Sequence, residues 1–264
     1  MAGGNVSPRQ KMINMMYLVL IALLAMNVSA EILKAFHLME VSFENTGESL
    51  KAKMKASVEG IQAEVSKQGP KAVPYAKRAE EAQKIVQDLN AYLDKVSKTI
   101  VENAGGRKVP EEGVKVENTP AIANAGDTEE HANYFQSKKE GGQGHGEEVK
   151  KKIEEARAKL VALLKSDPKD TTFKMAPSEY KEVLESTDLN TDGFKNDEGV
   201  QKSWESTILI EGPLASVVTN LARMKNESIN MGNTIINKLQ QGINASDIKI
   251  DKMIAMVNAP SSYV

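Results

Sequence analysis

Arg9, Asn14 and Tyr17 are the residues whose types and spacing suit chemistry with a partner. All three fall at or near the start of a long apolar run. At about 100° per residue on a helix, Asn14 and Tyr17 lie roughly 60° apart and Arg9 about 80° from Tyr17. Such a polar flank is expected to face other protein, because a tyrosine hydroxyl or an amide in hydrocarbon needs a hydrogen-bonding partner. Arg9 also has a plainer reading as a cation at the membrane surface that sets the orientation of a span. Asn27 adds a polar group near the far end of the run.

Other constellations fall short of a site. Asp188-Leu189-Asn190-Thr191-Asp192-Gly193 matches the opening of a calcium loop. Its twelfth position is Gly199 rather than a bidentate glutamate, and Lys195 stands where an apolar residue is expected. An Asp/Asn-rich turn between helices fits better. The Gly141–Gly146 stretch lacks the preceding strand and spacing of a phosphate cradle. His145 within it reads as a solvated loop residue. The sequence has no cysteine and three scattered histidines, which disfavours thiol chemistry and a His-rich metal centre. No nucleophile elbow, HExxH or Walker loop is present, so the expectation is a non-enzyme without cofactor or metal. Glu111-Glu112, Glu129-Glu130 and Glu147-Glu148 read as solvated charge runs.

The elements that must carry these residues are helices. With 264 residues, 41% hydrophobic and 27% charged, the chain suits one large domain or two small ones. A net charge of -2 argues against a nucleic-acid partner. Mean hydropathy of -0.39 excludes a polytopic membrane protein. One stretch departs from these averages. Residues 12–30 carry no charge and, as a helix, span about 28 Å, close to a bilayer core. Arg9 and Lys11 precede it, so the N-terminus is expected in the cytoplasm and the remainder across the membrane.

A cleaved secretory signal is the competing reading, since Val28-Ser29-Ala30 resembles a cleavage site. Three features favour a retained anchor. The run exceeds the roughly 7–15 residues of a signal core. Ser7-Pro8-Arg9-Gln10 makes a helix start. The helical pattern also continues through Ile32, Phe36, Met39 and Phe43, which predicts one helix leaving the membrane.

Beyond it, apolar stripes predict four more helical stretches. Leu50, Met54, Val58, Ile61 and Val65 mark the first, ended by Gly69-Pro70 and Pro74. Val86, Leu89, Leu93, Val96 and Ile100 mark the second, stopped by Gly105-Gly106. Val149, Ile153, Ala156, Leu160 and Leu164 mark the third, closed by Pro168. The last begins at Pro213 and carries Val217, Leu221, Met224, Ser228, Met231 and Ile235. Narrow stripes on long helices suit an up-down bundle of antiparallel neighbours or coiled-coil-like packing. Residues 104–146 read as a flexible excursion with a short strand near Val114 and Val116. The expected fold class is all-α, a single transmembrane helix continuing into a helical bundle on the far side of the membrane.

The opening MAGGNVSPRQKMINMMYLVLIALLAMNVSAEILKAF resembles the N-terminus of the GldM/PorM family of gliding-motility and type IX secretion proteins. Beyond residue 45 the likeness is looser: Trp204 before PLASVVTNLARM, and the closing Ala259-Pro260-Ser261-Ser262-Tyr263-Val264. Family members are about twice as long, so the chain is expected to be their N-terminal portion, truncated before further periplasmic domains. The implied division is a cytoplasmic 1–11, a transmembrane 12–30 and a periplasmic 31–264.

The resemblance implies an inner-membrane motor subunit driven by the proton motive force. It acts as a homodimer whose two spans sit inside a ring of about five copies of a small polytopic partner resembling GldL. Outer-membrane and periplasmic components of the same machinery are the implied recipients of force. In that scheme Arg9 is the charge partner of a protonatable glutamate on GldL, and Tyr17 lines the same contact. The alternative is a secreted or single-pass helical scaffold without energy coupling.

Overall fold

The computed structural model describes residues 9–10, 12–17, 29–108, 119–138, 144–165, 173, 177–186, 189–195 and 199–247. Residues 9–10 and 12–17 are helical. Three long helices then form the body: α1 (Ala30–Gln68), α2 (Val73–Asn103) and, after intervening shorter elements, α6 (Leu214–Asp247).

The start of α1 corrects one expectation. Ser29 is extended, with φ -62° and ψ 146°, and its hydroxyl accepts from the Ile32 amide at 3.3 Å. The helix therefore opens on its own N-cap and does not continue an upstream helix. Ser29 followed by Glu31 in the first turn is a capping signal. Unbroken apolar periodicity across residue 30 concealed it.

Other boundaries fall where the sequence places them. Gly69, at φ 68°, ends α1, and its amide donates to the Val65 carbonyl. A 3-10 turn, Gly69–Lys71, reverses the chain, and Pro74 sits in the first turn of α2 where no helical donor is lost. Gly105 and Gly106, at φ 100° and 79°, stop α2. All four predicted stripes point inward, with Ile61, Leu93, Ile153, Leu160, Leu221 and Ile235 at most 1% exposed.

Helix direction is the second correction. Thr219 Oγ1 donates to the Phe36 carbonyl (3.1 Å), Asn226 Nδ2 to Phe43 (2.7 Å) and Asn233 Nδ2 to Leu50 (3.3 Å). Both partners advance by seven residues at each step, so α1 and α6 run parallel. Against α2 the order reverses. Ser228 bonds Asn90 at 2.7 Å, and Lys225 bonds Asp94 at 2.5 Å. Thus α2 is antiparallel to α6 and, through its hairpin, to α1. The end of α2 and the start of α6 both lie beside the N-terminal part of α1, where Arg107 meets Glu40 and Thr219 meets Phe36.

The stretch between α2 and α6 is built into the core. Ile122, His131 and Phe135 are buried, the last two on α3 (Glu130–Gln136). A loose excursion is therefore wrong for the described part of 104–146; the strand proposed near Val114 and Val116 lies outside the described residues. His145 opens α4 (His145–Ala162) and stacks on Tyr134 at 4.4 Å, so it is not a solvated loop residue. Arg78 grips the far end of α4 by donating to the Leu163 and Lys165 carbonyls, both at 2.9 Å. Helix α5 (Pro177–Ser186) docks through Arg157 to the Leu184 carbonyl. The two-residue strands β1 (Phe194–Lys195) and β2 (Gln201–Lys202) pair antiparallel, a small addition to an otherwise helical fold. Trp204 is buried just before a π-helical turn, Ser206–Ile210, that precedes α6.

Candidate functional site

Chemistry concentrates where α1, the end of α2 and the start of α6 meet. Four residues on α1 occupy one heptad position: Glu40, Gly47, Met54 and Ile61, all buried. Glu40 is the exception in type, a carboxylate 2% exposed in an apolar seam. Burying a charge is costly unless it is paired, so the fold must bring it a cation. Gly105 and Gly106 provide the turn that delivers Arg107. Arg107 Nη2 donates to Glu40 Oε1 at 2.5 Å, and its Nη1 donates to the Pro120 carbonyl at 2.7 Å. His37 Nδ1 lies 3.5 Å from Glu40 Oε2.

The same joint ties in the segment after residue 119. Lys108 donates its amide to the Ala121 carbonyl, and Ala123 donates to Gly106, framing an Arg107–Ile122 bridge. Thr119 Oγ1 donates to Glu44. At the other end of this segment, Leu214 and Ala215 donate to the Asp127 and Ala125 carbonyls, satisfying orphan amides at the start of α6. His131 is fully buried, with Nε2 3.3 Å from the Ile210 carbonyl. Burial holds its pKa below the ordinary value, against the opposing pull of the Ile210 carbonyl and Asp127.

A cleft of about 500 Å³ opens beside this joint, lined among others by Leu33, Lys34, His37, Glu40, Lys108 and Asp127. Two of its carboxylates are already engaged: Glu40 by Arg107, Asp127 by the Glu129 and Glu130 amides that begin α3. The joint is thus an electrostatic fastening. Glu40 could have been suspected from the sequence, as a charge in step with Met54 and Ile61. Arg107 and His131 carried no such signal.

The sequence-predicted residues lie elsewhere. Arg9, Asn14 and Tyr17 are on helical backbone and exposed, Tyr17 by 64%. Met12, Ile13, Met15 and Met16 beside them are also at least half exposed. Among the described residues no helix is long and apolar enough to cross a membrane. Residues 18–28, most of the expected span, lie outside the described residues. A second apolar surface follows on α1, where Ile32, Leu38 and Met39 are 50%, 59% and 47% exposed. Ala35, Ser42 and Thr46 extend it, with the exposed Glu31 on the same side in the first turn.

The suspected calcium loop is a turn in its described part. Asn190 Oδ1 accepts from the Asp192 amide, and Asn190 Nδ2 donates to Asp192 Oδ2. Thr191 Oγ1 donates to Glu154 on α4. These bonds fold the chain into β1; Asp188 lies outside the described residues.

No curated protein gives a significant match. A family profile described as the GldM N-terminal domain matches residues 31–242, from the first turn of α1 to five residues short of the end of α6. The chain therefore belongs to the GldM family, as the N-terminal portion of an inner-membrane-associated component of the gliding-motility and type IX secretion machinery.

Proposed function

We propose that the chain is the transmembrane subunit of a motor driven by the proton motive force, passing force from the inner membrane into the periplasm. The observation that carries this reading is the parallel pairing of α1 with α6. Helix α1 follows directly on the apolar run 12–30, and α6 rises beside it to the opposite end of the bundle. At about 1.5 Å per residue, the 39 residues of α1 make a strut of roughly 57 Å. A displacement entering at the base is thereby delivered far from it.

In this reading residues 12–30 span the membrane once, with the N-terminus cytoplasmic and the bundle periplasmic. The exposed Arg9, Asn14 and Tyr17 meet a small polytopic partner that carries a protonatable carboxylate. A carboxylate near a fixed guanidinium stays ionised more readily, and losing that contact raises its pKa. Successive carboxylates passing Arg9 thus load and release protons in turn. Two copies of the chain act together, which the exposed apolar side chains of Ile32, Leu38 and Met39 on α1 support. The role is non-enzymatic and needs no cofactor.

The test is substitution at Arg9, with gliding and type IX secretion measured in cells and assembly checked by co-purification. Arg9→Ala should leave insertion intact, since Lys11 still orients the span, yet abolish motility and secretion. Arg9→Lys should fail to rescue fully, because lysine lacks the planar fork. Tyr17→Phe should give a milder defect. Normal motility in a well-assembled Arg9→Ala strain would leave the scaffold reading, and loss of Met1–Ala30 by intact mass would sink the anchor.

A further inference from the structure

Resting on the motor reading, we propose that Gly47 and Asn226 form the contact through which movement of α1 is passed to α6, with Thr219 and Asn233 fixing the register on either side. Apolar side chains in a seam are non-directional and re-pack after small slips. A hydrogen bond to a backbone carbonyl differs, because that carbonyl moves only with its whole helix. Three bonds join α1 to α6 along the seam, and each runs from an α6 side chain (Thr219, Asn226, Asn233) to an α1 carbonyl. By contrast, Gln62 to Glu80, Ser228 to Asn90 and Lys225 to Asp94 join α2 to the other two long helices side chain to side chain.

The middle rung has a built-in approach. Asn226 is 7% exposed and donates to the Phe43 carbonyl at 2.7 Å, the shortest of the three. One turn on, Gly47 is buried, and a Cβ there would stand 2.6 Å from Asn226 Oδ1. A side chain at position 47 would push the Asn226 amide from its present place against the α1 backbone. A glycine within a helix weakens it, so this position trades helix propensity for contact. Polar residues at such seam positions set register at some cost in stability.

The proposal separates stability from transmission. Asn226→Leu replaces the amide by an apolar side chain of similar size and removes the bond to Phe43. We expect it to melt at or above the wild-type temperature and to co-purify normally with its membrane partner, while gliding and secretion are lost. Because the chain has no cysteine, Gly47→Cys with Asn226→Cys gives a single possible crosslink within one chain, told from a crosslink between copies by its mobility on the gel. Cells in which non-reducing gels show that crosslink should recover gliding relative to Asn226→Leu. Wild-type gliding in a fully assembled Asn226→Leu strain overturns the proposal, as does loss of gliding that merely follows a fall in melting temperature. If crosslinked cells stay immobile, covalent coupling does not replace the bond and the proposal also falls. Arg9→Ala, run in parallel, distinguishes the levels: normal gliding in both variants removes the motor reading itself, whereas normal gliding in Asn226→Leu alone removes only this contact.

Discussion

Glu40 and Arg107, 67 positions apart in the chain, meet at 2.5 Å in an ion pair whose carboxylate side chain is only 3% exposed. The pair joins α1 to the turn that leaves α2, and through Pro120 to the segment that leads to α3. Removing one partner of a buried pair leaves an uncompensated charge. Arg107→Ala is therefore expected to destabilise the bundle by about 3–5 kcal/mol. Glu40→Leu with Arg107→Leu should cost clearly less than Arg107→Ala alone. Chemical denaturation of the three proteins measures both; equal losses would mean that the charge itself is not what matters.

A pH dependence follows from His131. Burial holds its folded pKa below the ordinary 6.5, so below that pH the unfolded chain takes up a proton that the folded one resists. Stability contributed by the neutral ring is complete above about pH 6.5 and is lost as pH falls toward the folded value. The slope from this one group is at most about 1.4 kcal/mol per pH unit. His131→Gln keeps a donor for the Ile210 carbonyl but cannot titrate. Its unfolding free energy should fall less steeply between pH 7 and 5 than that of the wild type, as read from denaturation curves at each pH.

Two helical glycines should respond in opposite directions to alanine. A Cβ at Gly60 meets nothing closer than Gln240 Nε2 at 4.0 Å, so Gly60→Ala should stabilise by about 0.5–1 kcal/mol through helix propensity. A Cβ at Gly232 would lie 2.7 Å from Met54 Cε and 2.8 Å from Val86 Cγ2. Val86 is stiff, and overpacking of this kind costs about 1–3 kcal/mol, so Gly232→Ala should destabilise despite the gain in propensity. Thermal melts of the two variants should shift in opposite directions.

Much of this architecture was legible in the sequence, and the remainder was hidden for physical reasons. Leu93, Ile153 and Leu221 announced inward faces, because a helix must bury one stripe. Gly69 and Gly105-Gly106 announced stops through the positive φ they adopt. Periodicity gives no direction, however, so the expected packing of antiparallel neighbours did not anticipate the parallel course of α6 beside α1. Helix α3 spans only seven residues, too few to show a period, which kept His131 and Phe135 out of the expected core. The Glu40–Arg107 pair depends on a tertiary turn that local pattern cannot report. Of the expected contact residues, Arg9, Asn14 and Tyr17 were found helical and exposed, and their roles remain with the motor proposal.

The seven-residue step shared by Phe36, Phe43 and Leu50 on one helix and Thr219, Asn226 and Asn233 on the other has a mechanical consequence. A repeat of seven, shorter than two full α-helical turns of 3.6, winds paired helices left-handed. A wound pair has a chirality of response. Twisting it in the sense that tightens the winding presses close-packed side chains together, which protein interiors resist strongly. Twisting it the other way opens the seam, and the side-chain amides and hydroxyl that bridge the two helices then bear the strain. A pair wound in this way is expected to resist rotation in one sense more than in its opposite.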